Sequence, residues 1–118
     1  MKAIIDAYRK HWNDPFIQVR IIDADTCLYV TEYTDTLLFQ AYISETNVNY
    51  QKEYCAVAVL HMWGGYYFDT DMEMTSKPPK IIDISFVSAI YNETISTSFI
   101  ASTAQHPVLI YYIRMLHT

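Results

Sequence analysis

The chain has 118 residues, of which 52% are hydrophobic and 18% are charged. This length suits one domain, and so apolar a composition excludes disorder for most of the chain, so we predict a single domain over residues 1–118. Thirteen acidic residues outnumber eight basic ones and give a formal net charge of −5. Because nucleic-acid binding normally requires a basic surface, this balance argues against a nucleic-acid partner.

The sequence shows no targeting or membrane-anchoring segment. Residues 1–6 carry charges where a signal peptide needs an apolar stretch. The longest uncharged apolar run, residues 55–65, is too short to span a bilayer. We therefore expect no membrane segment in this chain, and the compartment stays open between the secretory lumen and the cytoplasm.

The two cysteines, Cys27 and Cys55, show neither the spacing of a Cys-x-x-Cys pair nor a nearby histidine at metal-ligand spacing. This pattern does not indicate a zinc site. Buried free thiols are the favoured interpretation, and a disulfide is the alternative.

The first half of the chain is predicted to be mainly helical. Apolar residues recur at helical spacing in its first segment, and Pro15 stops that helix. Asp23 and Asp25 are suited to capping the next helix, because a short side chain with an acceptor oxygen satisfies free N–H groups at a helix start. The predicted elements are the helix 2–12, the strand 16–22 and the helices 25–33 and 35–45.

The second half combines the strongest helical signal with several short strands. Residues 50–63 are apolar on nearly every side around their centre, which indicates a buried helix, and Gly64-Gly65 are suited to end it. Pro107 is well placed in the first turn of a closing helix. The predicted elements are the helix 50–63, strands over 66–68 and 81–87, a strand or loop over 94–103, and the helix 107–116. Helices that alternate with strands predict an α/β fold.

Asp69 and Asp71 follow directly after the aromatic strand 66–68 and stand two residues apart. Residues i and i+2 of an extended segment point to the same side, so both carboxylates can face one point at the carboxyl end of the strand. Neighbouring carboxylates repel unless a cation neutralises them, and oxygen ligands suit Mg²⁺ or Mn²⁺. Such a cation can hold a diphosphate and stabilise its charge as it leaves. The pattern is therefore suited to a metal and diphosphate site.

Other interpretations of this pair compete with a metal site. An isolated Asp-x-Asp is more often a solvated turn after a strand. A calcium loop starting at Asp69 is disfavoured, since Met74 stands where the loop's glycine belongs and Lys80 where its closing glutamate belongs. A metal-dependent hydrolase is also disfavoured, because no base or nucleophile stands at an informative spacing.

The segment from Leu60 to Asp71 resembles the sugar-binding region of the Asp-x-Asp glycosyltransferases that include initiating α-1,6-mannosyltransferases and α-1,4-galactosyltransferases. That family's pattern is a helix with leucine four residues before Gly-Gly, then an aromatic residue, a hydrophobic residue and Asp-x-Asp. The residues that fit it are Leu60, Gly64, Gly65, Tyr67, Phe68, Asp69 and Asp71. The stretch from Ser98 to Pro107 is similar to the family's second block, a strand of small residues leading to His-Pro and a helix.

The resemblance implies a GT-A-like α/β fold, with a mixed sheet flanked by helices, here minimal or truncated. It further implies transfer of a sugar, with retained anomeric configuration, from a UDP- or GDP-sugar to a glycan, glycolipid or protein acceptor, with Mn²⁺ or Mg²⁺ as the cofactor. Asp69 and Asp71 are the expected catalytic residues: Asp69 would contact the donor's ribose or sugar, and Asp71, together with Asp69, would hold the metal. The donor-binding residues implied are Glu53, Gly64, Gly65, Tyr67, Asp69 and His106.

Two positions on the predicted helix 50–63 depart from the family pattern. Glu53 replaces an aspartate and keeps its carboxylate, whereas Ala56 replaces an arginine whose guanidinium would bind an anion. The family's opening strand, which cradles the nucleotide base, has no match before residue 16. These departures favour the alternative function, a shortened, non-catalytic relative that binds a nucleotide or glycan or serves as an interaction module.

Two histidines have structural interpretations that compete with functional ones. His106 precedes Pro107 and suits a helix start, but it could instead contact a donor phosphate or the metal. His61 lies in an apolar helix, where a packed histidine is more common than a ligand. Tyr66 and Tyr67 flank the predicted site and could stack on a sugar or a base.

Overall fold

The computed structural model of the chain describes residues 19–69, 86–91 and 94–117. These residues form four helices and three strands. The helices are α1 (Ala24–Thr34), α2 (Thr36–Ser44), α3 (Val48–Trp63) and α4 (Pro107–Met115). The strands are β1 (Gly65–Phe68), β2 (Phe86–Tyr91) and β3 (Thr94–Ser102). The predicted helix 2–12 and residues 81–85 of the predicted strand 81–87 lie outside the described residues.

The four predicted helices that fall within the described residues are confirmed, with ends that differ by one or two residues at most. Aspartate caps set two of their starts. Asp23 accepts the Thr26 N–H at 2.9 Å, and this hydrogen bond lowers the pKa of Asp23. Asp35 accepts the Leu38 N–H at 3.0 Å, while its own N–H donates to the Thr31 carbonyl at 3.1 Å. Asp35 therefore ends α1 and starts α2 at one residue.

The three strands form one small antiparallel sheet in the order β1-β3-β2. β3 is the central strand, and it pairs antiparallel with β1 from Gly65↔Ser102 to Phe68↔Phe99. Its other edge pairs antiparallel with β2, with a register shift between Ser88 and Ala89. The segment 94–103, which the sequence left open between strand and loop, is thus a strand up to Ser102.

The predicted α/β fold of GT-A type, with a mixed sheet flanked by helices, is wrong. The described residues instead form a mainly helical globule with a small antiparallel sheet. Parallel strands need a crossover connection, usually a helix, between them. Here α1, α2 and α3 all precede the strands and α4 follows them, so no described helix connects two strands. The strand predicted over 16–22 is also wrong where it is described, since residues 19–22 have no strand conformation.

The hydrophobic core lies where α3 meets the other helices and the sheet. The centre of α3 is buried, as its all-round apolar sequence predicts, and α3 packs against α1, α2, α4, β1 and β3. The buried core residues are Val30, Leu38, Tyr42, Cys55, Val57, Ala58, Leu60, Ile100, Leu109 and Ile113. The buried α3 is therefore the element that positions both the sheet and α4.

Cys27 and Cys55 form a disulfide that joins α1 to α3, so the expectation of free thiols is wrong. The packing of α1 on α3 brings the two Cα atoms to 5.2 Å, a separation that suits a disulfide. The separation of 28 positions in the sequence gives no signal for this pairing, because the contact depends on how two helices dock.

Candidate functional site

The candidate site is built on the turn between α3 and β1. Gly64 ends α3, and its N–H donates to the Leu60 carbonyl at 2.8 Å. Gly64 and Gly65 have φ angles of 68° and 117°, which residues with a side chain rarely adopt. The prediction that this glycine pair ends the helix is therefore confirmed.

Gly64 is also a point of close approach between two backbones. A Cβ atom placed there would lie 2.8 Å from the Ala104 nitrogen and 3.2 Å from the Ser102 carbonyl oxygen. The neighbouring Gln105 N–H donates to the His61 carbonyl at 3.1 Å. The end of α3 is thus fixed against the loop between β3 and α4. This loop leads into His106, so the fold brings the Gly-Gly turn and the segment before His106 together.

His106 starts α4. Its Nδ1 accepts the Val108 N–H at 3.1 Å, and Pro107 follows in the first turn, as predicted. Its ring lies 5.3 Å from the ring of Phe86 on β2. The structural role of His106 as a helix cap is confirmed, whereas its predicted contact with a donor stays a prediction.

Asp69 follows β1 directly and is partly buried. The Tyr67 hydroxyl donates a hydrogen bond to Asp69 Oδ1 at 3.0 Å. Because the Tyr67 ring packs against the hydrophobic core, its hydroxyl holds the Asp69 carboxylate from a fixed position. The sequence suggested Tyr67 as a stacking surface, and its contact with Asp69 was missed. The i, i+2 spacing of an extended segment was the signal that could have indicated it.

The two residues before Asp69 tie the end of β1 to the central strand. Phe68 stands opposite Phe99 in the register, and their rings lie 5.1 Å apart at an interplanar angle of 36°. Tyr67 stands opposite Ile100, which is buried. These contacts hold the carboxyl end of β1 in place, so Asp69 extends from a supported strand end.

Asp71, the second residue of the predicted pair, lies outside the described residues. No group of three or more histidine, cysteine or acidic side chains within the described ranges could hold a metal ion. The carboxylate oxygens of Asp69 are the kind of ligand that Mg²⁺ and Mn²⁺ prefer. Asp69 can therefore supply one ligand to such an ion, and the predicted site would need Asp71 as a further ligand.

Glu53, predicted to bind the donor, lies on α3 and contacts α4. Burial raises the pKa of Glu53, and a hydrogen bond from the Tyr112 hydroxyl partly offsets this effect. Burial and the charge of Glu53 also raise the pKa of Tyr112. Glu53 is thus placed as one half of a hydrogen-bonded pair between two helices, and its role toward a donor stays a prediction.

Ala56 stands where the resembling family carries an arginine, and it is completely buried on α3. A guanidinium at this position would be enclosed by the hydrophobic core without water, which is costly for a charged group. The small side chain at position 56 therefore serves helix packing and contributes nothing to anion binding.

Comparison of the chain with protein-family models, with curated proteins and with solved structures found no match. Within the described ranges, no helix combines the length and apolar character needed to cross a bilayer.

Proposed function

We propose that the chain is a metal-dependent glycosyltransferase that uses a nucleotide sugar. The observation that carries the proposal is the unit formed by α3, the glycine turn and β1, which ends in a carboxylate held by a tyrosine. A buried helix and a short strand place Asp69 at the carboxyl end of β1. Charged groups at such strand ends are well placed to face a ligand from a rigid support.

In this proposal Asp69 and Asp71 would hold Mn²⁺ or Mg²⁺, and the bound ion would supply Lewis-acid chemistry at the diphosphate of a UDP- or GDP-sugar. Tyr67 is a positioning residue, since its hydroxyl restrains the Asp69 carboxylate. Gly64 allows α3 to pack against the backbone at Ala104, so the segment before His106 lies at the amino end of β1, whereas Asp69 follows the carboxyl end of that strand. The sugar passes to a glycan, glycolipid or protein acceptor with retained anomeric configuration.

A second candidate function is binding of a nucleotide or glycan without catalysis. Two observations favour it: the described strands form an antiparallel sheet and not a GT-A sheet, and the family's arginine is replaced by the buried Ala56. The antiparallel sheet differs from the sheet of the resembling family, and Ala56 lacks the guanidinium that would bind an anion. Neither difference alters Asp69 or its hydrogen bond with Tyr67. Binding can therefore persist where the geometry for transfer is incomplete.

Calorimetric titration with UDP and with GDP, each with and without Mn²⁺, tests the metal site. We expect one nucleotide to bind only with Mn²⁺, and Asp71→Asn or Asp69→Asn to weaken this binding by about 100-fold, since each change removes a metal ligand. Asp25→Asn is the matched control, because Asp25 is an exposed carboxylate of the other Asp-x-Asp pair. Nucleotide binding that ignores Mn²⁺ and survives Asp71→Asn would contradict the proposed metal site.

The positioning role of Tyr67 is tested in the same titration. Tyr67→Phe removes only the hydroxyl that contacts Asp69, so we expect Mn²⁺-dependent binding to weaken by roughly tenfold, as for other partners of metal ligands. Tyr50→Phe removes an exposed hydroxyl on α3 and should change nothing. Equal binding by the wild-type chain and Tyr67→Phe would show that this hydrogen bond does not orient the ligand.

Release of free nucleoside diphosphate separates the two candidate functions. The chain is incubated with UDP- and GDP-sugars and Mn²⁺, and the released diphosphate is quantified with the wild-type chain and with Asp71→Asn. Release that requires Asp71 supports the transferase. Metal-dependent binding without release would leave only the binding module.

A further inference from the structure

A three-residue motif of the sequence, Asn92-Glu93-Thr94, has no part in the site proposed above. Asparagine, then any residue except proline, then serine or threonine is the acceptor pattern for N-glycosylation. The other asparagines of the chain lack this pattern, because none of them is followed by serine or threonine two positions later. The sequence therefore contains a single acceptor of this kind, at Asn92.

The motif stands at the connection between β2 and β3. β2 ends at Tyr91 and β3 begins at Thr94, and these two residues pair across the antiparallel hairpin. Asn92 and Glu93 themselves lie outside the described residues, and the register on either side leaves these two residues to connect the strands. Asparagine is one of the residue types that short connections favour. Such connections lie on the protein surface, where a bulky modification is accommodated.

The buried part of β3 lies at the opposite end of the strand from this connection. Ile100, Ala101 and Ser102 are the buried residues of β3. Among the described residues, β1 pairs with β3 from Phe99 to Ser102, whereas β2 continues its pairing as far as Thr94. The hairpin therefore extends past β1, and a group attached at its connection does not have to enter the hydrophobic core.

The disulfide between Cys27 and Cys55 is an independent observation about the environment of the chain. It uses both cysteines that the sequence contains. Disulfides form and persist in oxidising compartments, whereas thiols of cytosolic proteins are kept reduced. The lumen of the secretory pathway is oxidising, and it is also where Asn-x-Thr motifs of secreted proteins receive their glycans. The disulfide and the motif thus fit the same compartment.

We propose that Asn92 is N-glycosylated in the oxidising lumen of the secretory pathway. The co-reactant is an oligosaccharide linked through a diphosphate to a lipid, and a membrane-bound oligosaccharyltransferase moves the glycan. The side-chain amide nitrogen of Asn92 forms a bond to the anomeric carbon of the glycan and loses one proton. The bond from that carbon to the diphosphate oxygen breaks, and the lipid diphosphate leaves. Here the chain accepts a glycan, so this proposal does not depend on a transferase activity of the chain itself.

The test directs the full chain into the secretory lumen of eukaryotic cells with a cleavable signal peptide, followed by peptide mapping with mass spectrometry. We expect an increase in mass on the peptide that contains Asn92, which peptide-N-glycosidase F removes while it leaves a carboxylate at this position. A non-reducing digest of the same sample should contain Cys27 linked to Cys55. An unmodified Asn92 in the secreted, disulfide-bonded chain would overturn the proposal.

Variants assign the modification to the motif. Asn92→Gln and Thr94→Ala should each abolish the increase in mass, because the first removes the acceptor amide and the second removes the hydroxyl residue that the pattern requires. Thr94→Ser preserves the pattern and should retain the glycan. Asn49→Gln is the matched control, since it removes an exposed asparagine outside the pattern and should change nothing. An increase in mass that persists in Asn92→Gln would place the modification elsewhere and overturn the proposal.

The chain purified from the cells that naturally produce it shows whether the acceptor is used there. Peptide mapping of this material should find the glycan on Asn92, and an unmodified Asn92 would overturn the proposal even where the secreted recombinant chain carries a glycan. Asp71→Asn removes a proposed metal ligand and should leave the glycosylation of Asn92 complete. The two proposals therefore succeed or fail independently.

Discussion

The chain contains two Asp-x-Asp sequences, and the first aspartates of the two have different hydrogen-bond partners. Asp23 precedes a helix, and its carboxylate accepts the Thr26 N–H at 2.9 Å. Asp69 follows a strand, and its carboxylate accepts the Tyr67 hydroxyl at 3.0 Å. The carboxylate of Asp23 thus caps a helix by accepting a backbone N–H, whereas the carboxylate of Asp69 accepts a side-chain hydroxyl at the end of the edge strand β1. The same two-residue spacing begins with a helix cap in the first region, and in the second region we propose that it holds a ligand.

This comparison extends to the surroundings of each pair. One turn after Asp23, Cys27 joins α1 to α3 through the disulfide, so the first region contributes to stability. Before Asp69 comes the glycine turn, which brings backbones together but leaves the following carboxylate partly exposed. Changes in the first region should therefore act on the free energy of unfolding, and changes at Asp69 should act on ligand binding.

The largest expected effect on stability comes from removing the disulfide. Replacing both Cys27 and Cys55 by serine should lower the free energy of unfolding by roughly 3–4 kcal/mol, because the bridge closes a long loop and restricts the unfolded chain. Urea denaturation of the oxidised chain and of the double variant measures the difference. The Mn²⁺-dependent nucleotide affinity of the folded variant should be unchanged. A large loss of that affinity in the absence of urea would contradict the assignment of stability to the first region and of ligand binding to Asp69.

Gly64→Ala is expected to have the next largest effect. The new methyl group would lie 2.8 Å from the Ala104 nitrogen, and alanine at a φ of 68° is strained, so we expect a loss of about 2–3 kcal/mol in unfolding free energy. Gly65→Ala is the matched control, since no atom of the described residues other than its chain neighbours lies within 4 Å of the added carbon, and only the backbone strain at φ 117° remains. Thermal unfolding of both variants ranks them, and equal losses would contradict the close approach at Gly64.

The smallest effect concerns the helix cap at Asp23 and its dependence on pH. The lowered pKa of Asp23 in the folded chain means that its contribution is present above the unfolded value of 3.8 and is lost as the pH falls through the lower folded value. Asp23→Ala should therefore destabilise the chain at neutral pH, and the difference from wild type should shrink in acid. Asp69→Ala, which removes no helix cap, is the comparison. A pH-independent effect of Asp23→Ala would exclude the cap as its origin.

Local features of this fold were predictable because short-range interactions decide them. The apolar character around Val57 and Leu60 predicts a buried helix, and the glycine pair that follows predicts its end. Asp23 and Pro107 predict helix starts, and both occupy those positions. Each of these signals depends on residues within about one turn of one another, so the sequence alone contains the required information.

The sheet, the disulfide and the contacts of the site depended on the tertiary structure. Alternation of helices and strands suggested an α/β fold, but strand pairing is a choice among distant partners, and β3 took β1 and β2 as antiparallel neighbours. Cys27 meets Cys55, Glu53 meets Tyr112, and Arg114 shares a cleft with Thr34 only because helices distant in sequence dock around α3. Sequence therefore determined the four described helices and, within one or two residues, their ends, and tertiary packing decided which side chains meet, because such contacts depend on the relative placement of whole elements.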